Sequence, residues 1–134
     1  MRNLLPSLLL ALCLPVAGLA QDHAHSDQDD QPIYEGVWSV RLADGRAARF
    51  ELREWAGTWR ETGARGALPA ACHGRKMPVT VQQSTAEGLQ FTVFGTSVNP
   101  ACPDTSYTFK PLDAKTMQAA LDGGSTATMT RARR

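Results

Sequence analysis

From Gly36 onward, apolar and polar side chains alternate with period two, the spacing of strands that bury one face. Trp38, Val40 and Leu42 alternate with Val37, Ser39 and Arg41 before Ala43-Asp44-Gly45 turns the chain. Ala48, Phe50 and Leu52 form a second run, which Gly57 ends, and Trp59 centres a third from about Thr58 to Thr62. Met77, Val79 and Val81 make the fourth; after the Glu87-Gly88 turn, Leu89, Phe91 and Val93 make the fifth. Tyr107, Phe109 and Pro111 mark the sixth, and Ala127 and Met129 the last. Between those two, Asp113 could cap a short helix through Met117 and Leu121 to Gly123. A strand is the better reading, because Met117, Ala119 and Leu121 also fit one alternating face.

Eight short sequential strands predict an all-β fold, an antiparallel up-and-down barrel built as a meander. In such a meander the connections alternate between the two ends, so the loop after strand three and the loop after strand five share one end. These are the long connections: the first carries Gly63, Gly66, Pro69, Cys72 and Gly74, and the second runs from Ser97 to Thr105 with Cys102. The topology thus predicts a Cys72–Cys102 disulfide closing a loop of about thirty residues. Sixteen apolar, mostly large side chains point inward, Phe50, Phe91 and Phe109 among them. They should fill a barrel whose interior is just wide enough for side chains.

The first twenty residues have a different character. Arg2 precedes an apolar stretch from Leu4 to Leu19 broken by Pro6 and Pro15, and Gly18-Leu19-Ala20 offers the small residues a signal peptidase accepts. We read 1–20 as a cleaved export signal, too short and too interrupted for a membrane span. Cys13 follows Leu12, where a lipid-attachment site wants a small residue, so it belongs to the discarded segment. Residues 21–32 are polar and read as a flexible acidic leader with two histidines, and 33–134 as one barrel domain. The mature chain is formally neutral, but Asp22, Asp27, Asp29 and Asp30 put the leader at −4 and leave the barrel domain at +4. That excess is too small and dispersed for a nucleic-acid footprint. An export signal with a disulfide places the protein in the periplasm or outside the cell, with no membrane insertion after cleavage.

Gly36-Val37-Trp38 on the first strand and Arg131 at the end of the last resemble the lipocalin and avidin group of barrels. That resemblance implies that the Arg131 guanidinium packs over the Trp38 indole and closes one barrel end. The Cys-His-Gly-Arg-Lys and Asn-Pro-Ala-Cys-Pro-Asp loops are similar to those of small exported bacterial proteins of uncharacterised function.

Catalysis finds little support. His73 is the one histidine of the barrel domain, the cysteines are committed to the bridge, and no serine sits in a nucleophile-elbow context. Glu51, Glu54 and Glu61 lie among arginines on strands and read as a solvated face. If cleavage follows Ala20, the free amine and His23 at position three offer the nitrogen set that suits Cu(II) or Ni(II), with His25 nearby. The expected function is binding by the disulfide-stapled loops, where Arg65, His73, Arg75 and Lys76 from one loop meet Asn99 and Asp104 from the other. The expected partner is a protein in the cell envelope, as an inhibitor or partner of an enzyme or toxin; a small-ligand carrier is the alternative. Val37, Trp55 and Phe94 make a second, outward candidate patch.

Overall fold

A computed structural model of the chain describes residues 33 to 133. The export signal, the leader and the proposed His23 and His25 metal site therefore lie outside the described residues. Eight strands follow in order: β1 Gly36–Arg41, β2 Ala47–Arg53, β3 Ala56–Glu61, β4 Met77–Thr85, β5 Gly88–Val93, β6 Thr105–Pro111, β7 Thr116–Ala120 and β8 Thr126–Arg131. Each pairs antiparallel with the next, and β8 pairs back onto β1 to close the barrel. The ambiguous segment is strand β7, because Met117 and Ala119 face the core while Gln118 faces out. Only a single 3-10 turn, Asp122–Gly124, follows it.

One boundary differs from the sequence reading. Gly57 does not separate β2 from β3; it lies inside β3, opposite Leu52. A side chain there would come within 2.3 Å of the Glu51 carbonyl oxygen and 3.2 Å of the Phe50 ring. The glycine marks a close approach of backbone, one of the roles glycine has inside strands.

The inward faces form one apolar core in which Trp38, Phe50, Trp59, Phe91 and Phe109 are almost wholly buried. Phe91 lies at the centre of its rings. It stacks on Phe50 at 4.6 Å and on Phe109 at 6.0 Å between centroids, and meets Trp59 and Tyr107 at a tilt. Of the positions expected inward, Leu121 is only half-buried, packing against the core from beyond the end of β7. Outward positions are mostly arginines, glutamates, threonines and glutamines, whereas a membrane barrel shows an apolar belt to lipid. Among the described residues no helix is long and apolar enough to cross a membrane.

The two barrel ends are built differently. At the N-terminal end, Tyr34 crosses beneath the core and its hydroxyl donates to the Thr85 carbonyl at 2.6 Å, while the Trp38 indole N–H donates to the Tyr34 carbonyl at 2.9 Å. The Arg131 guanidinium lies 4.5 Å from the Trp38 ring centroid and donates to the Glu35 carbonyl at 2.6 Å. Gly36 is needed beneath it, since its φ is +127° and a Cβ would sit 2.9 Å from Arg131 Nη1. The opposite end carries the connections β1–β2, β3–β4, β5–β6 and β7–β8, and with them the disulfide.

The barrel is also unevenly sewn. β1 and β2 share six residue pairs, whereas β6 and β7 share two, Lys110 with Gln118 and Pro111 with Met117. Beyond these the two strands splay towards the disulfide end. A cleft of about 580 Å³ opens at that end, lined by Leu42 to Asp44 and Arg46 from the β1–β2 connection, by Thr105, Ser106 and Tyr107, and by Ala120, Leu121 and Ser125.

Candidate functional site

Cys72 and Cys102 are bonded, with Cα atoms 5.5 Å apart, and both side chains are fully buried. The bridge joins the β3–β4 and β5–β6 loops at one end, as the alternation of connections requires. Leu68 from the first loop joins the buried core, and Val98 from the second packs against it. Local turns set the two thiols: the Cys72 amide donates to the Pro69 carbonyl at 2.9 Å, and the Cys102 amide to the Asn99 carbonyl at 2.9 Å.

The six candidate binding residues divide into two groups. Three are used within the loops. The His73 ring donates from Nε2 to the Gly63 carbonyl at 2.7 Å, tying the loop back to the end of β3. The Asn99 side-chain oxygen accepts from the Ala101 amide at 2.9 Å. Asp104 Oδ1 accepts from both the amide and the hydroxyl of Thr96, at 2.9 and 2.8 Å. These side chains shape the loops by satisfying backbone donors and acceptors, a common duty of such residues in turns. Arg65, Arg75 and Lys76 are different: all three are exposed, and among the described residues none has a carboxylate within ion-pair distance.

The solvated-face reading fails for one residue, Glu61. It ends β3 two positions after Trp59, so it shares the inward face, and it is 4% exposed. One carboxylate oxygen accepts from the Trp59 indole at 3.0 Å and lies 3.7 Å from Arg46 Nη1. The other is buried without a partner among the described residues. Arg46 also reaches Asp44 at 2.7 Å. Tyr107 stacks on Trp59 at 5.0 Å; burial, then the charge of Glu61, push its phenol up to about 12, so it stays neutral at ordinary pH. The parity rule that placed Trp59 inward would have placed Glu61 inward too, had the acidic side chain not suggested solvent.

Asp44, Arg46 and Tyr107 of this cluster border the cleft at the disulfide end. Glu61→Ala leaves the buried Trp59 N–H without its acceptor and removes one of the two carboxylates beside Arg46, and should cost about 1 to 3 kcal/mol in urea unfolding. Glu61→Gln keeps an acceptor for Trp59 and should cost clearly less; equal losses would mean that the negative charge beside Arg46, and not the acceptor for Trp59, is what the site depends on.

The Val37, Trp55 and Phe94 patch is not assembled. Val37 pairs with Glu51, Glu51 with Thr58 and Thr58 with Pro78, and Pro78 accepts the Phe94 amide. Three strands therefore separate Val37 from Phe94, and Trp55 sits apart in the β2–β3 turn at the N-terminal end. No group of three or more histidine, cysteine or acidic side chains is placed to hold a metal ion among the described residues. No protein-family model matches the chain, and neither the curated proteins nor the solved structures yield a match.

Proposed function

We propose that this chain is an exported, non-enzymatic binding protein that meets a protein partner in the periplasm or outside the cell through its disulfide end. The observation that carries this reading is the division of labour within the stapled loops. His73, Asn99 and Asp104 fix the backbone, and that rigid frame presents Arg65 and Arg75, exposed and without an ion-pair partner among the described residues. Rigid scaffolds carrying shaped loops are a common way of holding a recognition surface. Charges held ready in this way suit an acidic surface, such as the cleft of an envelope enzyme or toxin, and they speed encounter with it.

The interior supports the same reading against a carrier. Phe50, Phe91 and Phe109 would line a ligand cavity, but they are fully buried and stacked on one another. A buried disulfide fits an extracytoplasmic setting, where such bonds persist.

The test uses the mature protein as bait in an envelope extract, beside the variant Arg65→Glu/Arg75→Glu. A partner retained by the native loops and reduced at least ten-fold by the double reversal is the expected result, with retention weakening as salt rises. An unchanged set of retained proteins would remove the loops from the interface.

A further inference from the structure

Six of the thirteen arginines and lysines of the barrel domain line two adjoining grooves on one wall. On the outer face of β2 and β3, Arg49 stands directly opposite Arg60. Lys76, one residue before the Met77 that faces Trp59, comes next in the same lateral row. Like charges directly opposite on neighbouring strands are destabilising, so such a row needs a compensating partner or carries a cost in stability. Two surface grooves meet here. One of about 140 Å³ is lined by Arg49, Glu51, Thr58, Arg60 and Lys76. The other, of about 710 Å³, shares Arg49 and Glu51 and continues to the N-terminal end past Arg53, Arg131 and Arg133. Together they carry six cations and two carboxylates.

Both carboxylates are already engaged. Glu35 accepts the Glu54 amide at 2.6 Å. Glu51 takes Arg49 at 2.9 Å; that hydrogen bond, with the charges of Arg49, Lys76 and Arg53, holds its carboxyl below the usual range. Arg60 and Lys76 have no ion-pair partner among the described residues. The outward positions of β5 to β7 look quite different, with Gln90, Thr92, Ser106, Thr108 and Gln118 neutral and Lys110 the exception.

We infer that this basic wall is the docking surface of the chain's own acidic segment, Gln21 to Pro32. The complement is close: the segment carries four aspartates and no lysine or arginine. Its attachment point is at the groove itself, since the described chain begins at Ile33 and Glu35, Gly36 and Val37 line the larger groove. Its length suffices, because twelve residues at about 3.3 Å each span roughly 40 Å, against about 20 Å for a strand of this wall. Tethering makes the contact intramolecular, so weak individual pairs add at high effective concentration. The inference is independent of the partner proposed for Arg65 and Arg75.

Zero-length carbodiimide cross-linking of the mature chain, followed by peptide mapping, reads the contact. Lys115 is the internal reference, since it lies in the β6–β7 turn at the end where Ile33 starts and is within reach of an undocked segment. Links from Asp22, Asp27, Asp29 or Asp30 to Lys76 should exceed those to Lys115 several-fold. They should fall to the Lys115 level in Arg49→Gln/Arg60→Gln, which leaves both lysines in place, and in high salt. Comparable links to the two lysines in the native chain, or Lys76 links unchanged by the double variant, would overturn the assignment. Failure of the segment to link, with an added aspartate-rich peptide linking to Lys76 instead, would also overturn it and give the wall to a partner in trans.

Discussion

Replacing both Cys72 and Cys102 by alanine is expected to lower the unfolding free energy by about 3 to 4 kcal/mol, the chain-entropy value for a closed loop of this length. The bridge spans thirty residues and links the two long connections across the whole β4–β5 hairpin. A domain of this size has a net stability of about 5 to 15 kcal/mol, so the loss removes a large share of it. Both cysteines are also fully buried within the core, so the variant loses packing as well as the constraint on the unfolded chain. Urea titration of the native protein with and without reductant should reproduce the shift in midpoint without any substitution. A change below about 1 kcal/mol would mean that the loops are held by their own hydrogen bonds and the bridge is incidental to the barrel. Partner retention should fall along with stability, because the frame that presents Arg65 and Arg75 is the one the bridge closes.

Phe91→Ala should cost as much or more. Large-to-small changes at buried aromatic sites run to about 3 to 5 kcal/mol, since lost transfer energy adds to an unfilled cavity. Phe91 is at the upper end by position: it is fully buried and touches four other rings, so each favourable pair geometry is lost with it. Its neighbours come from different strands, Phe50 on β2, Trp59 on β3 and Tyr107 and Phe109 on β6, and a barrel wall cannot collapse inward to close the gap. Phe91→Leu, which keeps most of the volume, should cost less than half as much. Equal and small losses in both variants would mean that the interior is loosely filled.

The course of the chain around the barrel was readable because period-two alternation is a direct consequence of a two-faced strand. Met117 and Ala119 settled on the inward face that parity gave them, and the alternation of connections between barrel ends brought Cys72 to Cys102. Where the reading went astray, one residue type had two physical uses. Gly57 read as an interruption but is a close contact between strands. Glu61 read as solvated although parity placed it beside Trp59 inside. His73, Asn99 and Asp104 carry groups that recognise ligands, and the same groups satisfy backbone amides and carbonyls; only coordinates separate those roles. The lateral row of Arg49, Arg60 and Lys76 was out of reach for another reason. It depends on the register between β2, β3 and β4, which the spacing of apolar residues leaves free to slide by two.

The interior of this barrel is filled by stacked aromatic side chains, and the function we propose therefore lies on its outer surface. An apolar fluorescent probe titrated into the folded mature protein tests it directly, with Phe91→Ala as the comparison in which a cavity has been opened. The native protein should give no saturable signal while the variant binds. Saturable binding by the native protein, competed by a small apolar ligand, would contradict the account and return the chain to the carriers.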